Sequence, residues 1–121
     1  MGKRILIVDD EPNIVTSLEY LMKREGFDVE VAVDGDSGLK AAREGRPDLV
    51  LLDIMLPKMN GFEVCERIRA DPACRGMKIV MLTAKGRQVD NTRGMSAGAD
   101  LYVTKPFSTR DLVAQVKQLL L

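Results

Sequence analysis

The chain has no histidine. This excludes imidazole as nucleophile, general base or metal ligand, and it excludes a phosphohistidine carried by the chain itself. Excess charge of either sign is also missing: eighteen Lys plus Arg balance eighteen Asp plus Glu. A domain that binds nucleic acid by itself rests on a basic footprint, so direct nucleic acid binding is not expected. No apolar run approaches the length of a membrane span, and the N-terminus lacks the apolar core of a signal peptide. The two cysteines, Cys65 and Cys74, have neither metal-ligand nor redox spacing, which makes a reduced cytoplasmic compartment the default. Cys65 reads as core or semi-core and Cys74 as loop.

What is present is a chain of 121 residues with 45% hydrophobic content. That is enough for one domain over 1–121, burying about two-thirds of its unfolded surface in a single core. Its centre is the run Leu49-Val50-Leu51-Leu52 leading straight into Asp53, with Pro57 following. An uninterrupted aliphatic run of this kind reads as a strand buried on both faces, as in parallel sheets. Further strands are expected at Arg4 to Val8, Val29 to Val33, Met77 to Leu82 and Asp100 to Thr104. The second alternates more and so belongs near an edge.

Helical spacing links these strands. Pro12 opens a helix that carries Ile14, Leu18, Leu21 and Met22 and stops at Gly26. Gly35 to Glu44 forms a weak helix on Leu39 and Ala42. Asn60 caps a helix that turns Phe62, Cys65 and Ile68 inward. Gly86 to Ala97 has few apolar anchors (Val89 and Met95) and reads as the least firmly docked helix. The last helix opens at Ser108 or Thr109 and carries Leu112, Val116, Leu119 and Leu120. No linker, repeat or low-complexity stretch interrupts the pattern.

Strands alternating with helices imply a parallel sheet covered on both faces, with every strand C-terminus on one edge. Ligands in open α/β sheets bind at that edge. The sequence places Asp9 and Asp10 there from the first strand, Asp53 from the third, Thr83 from the fourth and Lys105 from the fifth. Singly, each has a plain reading: an acidic pair before a helix complements its dipole, Thr fills a turn, and Lys is solvated. All of them on one edge point to chemistry. Crowded carboxylates raise one another's pKa unless a cation intervenes, and Lys105 and a hard divalent ion such as Mg2+ are the natural cations. A carboxylate beside both is suited to attack phosphorus and form an aspartyl phosphate. With no histidine and no evident substrate pocket, a self-phosphorylating switch fits better than a turnover enzyme.

From VDDEP through LLDIMLPKMNG and TAK to GADLYVTKPF, the chain resembles the receiver domain of two-component response regulators over essentially its whole length. The resemblance implies a flavodoxin-like (βα)5 doubly wound fold with a five-stranded parallel sheet in the order 2-1-3-4-5. It also implies that Asp53 is the phosphoacceptor and that Asp9, Asp10, Asp53 and the Met55 main-chain carbonyl hold Mg2+. Asp10 would bind directly and Asp9 through water, while Lys105 would pair with Asp53 and then with the phosphoryl oxygens. A cis Lys105-Pro106 bond belongs to the same pattern.

The switch implied couples Thr83, drawn toward the phosphoryl group, to Tyr102, which could then turn inward and reshape the face of the fourth helix, fifth strand and fifth helix. The partners implied are a sensor histidine kinase or phosphotransfer protein, and an effector domain or downstream protein. A homodimer through that same face also belongs to the family. The largest winged-helix subfamily builds such a dimer from two acids before the strand-five tyrosine and an Arg in the last helix. Here Leu101 follows Asp100, and Gln115 stands in place of that Arg. Met55 and Lys85 flank the site where dephosphorylation is tuned, and hindrance of water by both implies a long-lived phosphoryl group. The ending Gln118-Leu119-Leu120-Leu121 stops inside a helical pattern, which slightly favours a piece of a longer regulator over a stand-alone receiver.

Two other readings compete. A haloacid-dehalogenase-type phosphatase also forms an aspartyl phosphate with Mg2+, but it needs an acid where Met55 stands. A constitutive interaction module of the same fold would be expected to have lost at least one of the site residues.

Overall fold

A computed structural model describes residues 2–84 and 97–121. Five parallel strands, β1 (Arg4–Val8), β2 (Asp28–Ala32), β3 (Leu49–Asp53), β4 (Lys78–Ala84) and β5 (Leu101–Lys105), form one sheet in the order β2-β1-β3-β4-β5. Among the described residues the helices are α1 (Pro12–Arg24), α2 (Gly35–Gly45), α3 (Gly61–Ala70) and α4 (Thr109–Leu119), with a short 3-10 turn at Pro72–Cys74. The fold is the expected doubly wound one. The helix expected over 86–97 lies outside the described residues, except for its last position.

The period of two along a strand explains why β3 carries no polar residue before Asp53. Val50 and Leu52 join Leu6, Val8, Ile79 and Met81 on the face covered by Phe62, Val64, Cys65 and Ile68 of α3 and by Leu39 and Ala42 of α2. Leu49 and Leu51 join Ile5, Ile7, Val80 and Leu82 on the opposite face, under Leu18, Leu21 and Met22 of α1 and Leu112 and Val116 of α4. Every residue of β3 is buried. β2, at the edge, is only partly buried; it begins and ends one residue earlier than its alternation suggested, leaving Val33 exposed.

Local chemistry sets the helix ends. The side chains of Asp34, Asn60 and Ser108 accept hydrogen bonds from the main-chain N–H groups of Ser37, Glu63 and Asp111. Gly26, at φ +92°, takes the left-handed conformation that turns the chain out of α1. Gly61 opens α3 against the end of β3: a Cβ there would collide with the Asp53 carbonyl oxygen and lie 2.8 Å from Ile54 Cα.

The sheet edge remote from Asp53 is tied by Arg69 at the end of α3. Its guanidinium donates to the carbonyl oxygens of Gly98 (2.8 Å) and Met77 (2.6 Å) and to Asp100 Oδ2 (2.6 Å). The same Asp100 oxygen accepts from the Ile79 N–H at 2.7 Å. Ala97 is buried in the α3-side core, and its carbonyl accepts from Cys65 Sγ at 3.4 Å. Burial pushes the Cys65 thiol up to about 11. Cys74, expected in a loop, sits in the 3-10 turn with its side chain buried, and burial raises its thiol also.

Candidate functional site

Parallel registration brings the expected acids side by side. Val8 of β1 pairs with Leu52 of β3, so the next residues, Asp9 and Asp53, leave the sheet at the same level. Asp53 in turn pairs with Leu82 of β4, and Ala84 pairs with Lys105 of β5. Asp9 and Asp53 are buried, whereas Asp10 is exposed. One carboxylate oxygen from each of Asp9, Asp10 and Asp53 lies within 4.8 Å of the others.

Lys105 reaches across this group. Its Nζ lies 3.1 Å from Asp9 Oδ2, 3.3 Å from Glu11 Oε1 and 3.5 Å from Asp53 Oδ1. The expected Lys105–Asp53 pair is therefore present, but it is the longest of the three. Glu11 was not legible as a site residue. The available signal was its place after the acid pair at the N-cap of α1, where its side chain makes no capping bond. Its main-chain N–H instead donates to Asp9 Oδ1 at 3.0 Å.

The electrostatics follow from burial. Removal from water, then the charge of Asp9, raises the Asp53 carboxyl from 3.8 to about 6, against the opposing pull of Lys105 and a hydrogen bond from the Met55 N–H. Burial acts to lower the Lys105 ammonium, but the Asp53 and Asp9 charges and the hydrogen bonds to Asp9 and Glu11 outweigh it, and the net shift is upward. One ion pair thus pulls its two members in opposite senses. For Asp53 burial and the neighbouring carboxylate win. An excess of buried carboxylate over ammonium, built from hard oxygen donors at the mouth of a sheet, fits a divalent cation of the Mg2+ type.

Thr83 is buried in β4 and pairs in register with Thr104. It falls in the alternate positions of Ile79 and Met81, facing the α3-side core. Tyr102 is half-buried and packs against that same core. Asp9, Asp53 and Lys105 continue the other alternation, the one facing α1 and α4. Met55 is exposed beside the site, and the Lys105-Pro106 bond is cis as expected. Lys85 lies outside the described residues.

An open five-stranded parallel sheet with an acidic pocket and a lysine at its C-terminal edge defines a class of phosphoryl-accepting α/β domains. The chain belongs to the response regulator receiver domain family, whose sequence profile it matches over residues 5–117. It is 53% identical over 117 residues to the DNA-binding response regulator MtrA of Mycolicibacterium smegmatis, covering 97% of this chain and 50% of that protein. It is 49% identical over 120 residues to the alkaline phosphatase synthesis transcriptional regulatory protein PhoP of Bacillus subtilis, covering 99% of this chain and 49% of that protein. The chain therefore spans about half the length of these curated relatives. A CheY-like receiver domain protein from Methanospirillum hungatei superposes with a TM-score of 0.92 at 37% identity, covering 99% of this chain and 94% of that one. The receiver domain of the sensor histidine kinase PA1611 from Pseudomonas aeruginosa, crystallised with magnesium in its active-site cleft, superposes with a TM-score of 0.91 at 31% identity, covering 99% and 98%. The chain is a phosphorylation-dependent signalling domain of the bacterial two-component type.

Proposed function

We propose that Asp53 is the phosphoacceptor of this domain and takes its phosphoryl group from a phosphohistidine on a sensor histidine kinase or phosphotransfer protein. The observation that carries this reading is the meeting of Asp53 with Asp9, Asp10 and Lys105 at one sheet edge. An Asp53 carboxylate oxygen attacks phosphorus; the bond from phosphorus to the donor imidazole nitrogen breaks, and the imidazole leaves with that electron pair. The Lys105 ammonium follows the transferred group and pairs with its oxygens. Asp9, Asp10 and Asp53, with the Met55 main-chain carbonyl, would hold Mg2+, which when bound supplies positive charge against the crowded carboxylates and phosphoryl oxygens. Asp9 already accepts from the Glu11 N–H and from Lys105. This supports a direct ligand role for the exposed Asp10 and a water-mediated one for Asp9. In this reading the domain assists its own phosphorylation and dephosphorylation in the cytoplasm and turns over no external substrate.

The test is intact mass after incubation with acetyl phosphate and Mg2+. The wild type gains one phosphoryl group, and neither Asp53→Ala nor the wild type in chelator does. A folded, Mg2+-binding wild type that gains none would support a constitutive interaction module instead.

Phosphorylation adds about −1.5 to −2 charge and three acceptor oxygens at the β3 end. The Thr83 hydroxyl is an uncharged donor at the end of the neighbouring strand β4, and the alternation puts Tyr102 on its face of the sheet. Movement of Thr83 toward the phosphoryl group would change the packing of Tyr102 and the groove that it lines with Phe107, Asp111 and Gln115 between β5 and α4. Thr83→Ala should still accept phosphate on Asp53, while the Tyr102 ring resonances lose most of the shift that phosphorylation gives them in the wild type. An undiminished shift would remove Thr83 from the switch. In a protein built like the DNA-binding response regulator MtrA, of which this chain spans half, that face would report to the other half.

A further inference from the structure

We infer that Glu11 is a positioning residue that draws the Lys105 ammonium away from Asp53, slowing phosphoryl transfer while easing entry of the divalent cation. This rests on Asp53 being the phosphoacceptor.

An ammonium offers three N–H donors. Those of Lys105 face Asp9 at 3.1 Å, Glu11 at 3.3 Å and, farthest, Asp53 at 3.5 Å. Among the described residues, Lys105 is the one side-chain partner of the Glu11 carboxylate. The main chain at that point is fixed by the N–H bond to Asp9 and by Pro12 in the first turn of α1, and the Glu11 side chain does not cap the helix. It extends instead to Lys105, a hydrogen bond spanning 94 residues of sequence.

The two shorter contacts differ in kind. Asp9 is fully buried, and losing its ammonium would leave an unpaired buried charge. The Glu11 side chain is 60% exposed, so water replaces the ammonium at little cost. When a phosphoryl group arrives, Glu11 is the partner that lets go. Before that, it acts in the opposite sense. A divalent cation among Asp9, Asp10 and Asp53 repels an ammonium that lies against two of those same carboxylates. Glu11 gives the ammonium a place to withdraw to without leaving the site. The same contact that favours the cation therefore detains Lys105 from the reaction.

The signature is a split. Glu11→Gln should raise the Mg2+ dissociation constant, read by calorimetry on the unphosphorylated chain, about threefold, the scale of one exposed ion pair. At saturating Mg2+ its phosphorylation by acetyl phosphate should be faster by about the same factor. Glu11→Asp keeps the charge near the cation but withdraws the oxygen by one methylene. With the contact to Lys105 broken, it should share both the weaker Mg2+ affinity and the faster reaction of Glu11→Gln, which separates loss of the contact from loss of the charge. An unchanged or slower saturated rate in Glu11→Gln overturns the inference, as does a wild-type rate in Glu11→Asp; general disturbance of the site would weaken affinity and rate together. A wild type that takes up no phosphoryl group at all overturns the phosphoacceptor reading beneath it.

Discussion

Asp53→Asn makes the metal-free protein more stable near neutral pH, by up to about 3 kcal/mol, the value of the shift from 3.8 to about 6. The cause is the buried carboxylate beside Asp9, whose charged form the fold disfavours. The folded state holds the Asp53 proton more tightly than the unfolded chain does, and the sign of the linkage follows. Below the unfolded value near 3.8 both states are protonated and no penalty exists. As pH rises from there to about 6, the folded state loses stability relative to the unfolded one, and above that the penalty is complete. Asparagine keeps an oxygen for the Met55 N–H and Lys105 but carries no charge. Urea denaturation in chelator, run across pH, should show the variant ahead of the wild type at neutrality. The gap should close on the acid side of 3.8. Saturating Mg2+ should narrow it from the other direction, by stabilising only the wild-type site. A variant no more stable than the wild type at neutrality in chelator would refute the account.

Gly61→Ala carries the opposite sign. A methyl group there meets backbone, the Asp53 carbonyl and Ile54 Cα, and neither can rotate away as a side chain would. The turn is also held by the Gly61 N–H, which donates to the Ile54 carbonyl at 2.9 Å. The expected cost is about 2–3 kcal/mol, as for overpacking of a tight interior. Because the displaced atoms include the main chain of Asp53, phosphorylation should slow as well. Gly76→Ala is the control: nothing lies within 4 Å of a Cβ there, and stability should change by no more than about 0.5 kcal/mol. Equal effects at the two glycines, measured by denaturation, would show that the β3–α3 turn is looser than its contacts indicate.

Much of this was legible because the strands announce themselves. The β3 run could be buried on both faces only in a covered parallel sheet, and that topology alone collects Asp9, Asp53 and Lys105 at one edge. The alternation also carries information that the motifs do not: Asp9, Asp53 and Lys105 continue one face, Thr83 and Tyr102 the other. Three features resisted sequence reasoning. Glu11 joins the site through a side chain reaching back over a helix start, which no periodicity marks. The Arg69 clamp depends on carbonyl groups of residues 77 and 98, and carbonyls carry no sequence signature. Cys74 was read as loop because one 3-10 turn is too short to impose a pattern, yet that turn is enough to bury it.

The two buried thiols have a practical consequence for spectroscopy. Both side chains are nearly inaccessible, and both are held above the ordinary thiol range, so little reactive thiolate exists near neutral pH. Maleimide or nitroxide reagents should therefore pass over Cys65 and Cys74 in the native protein. A single cysteine introduced at an exposed position such as Tyr20 or Val33 becomes a selective attachment point without removal of either native residue. The domain is in effect already a blank background for site-directed labels.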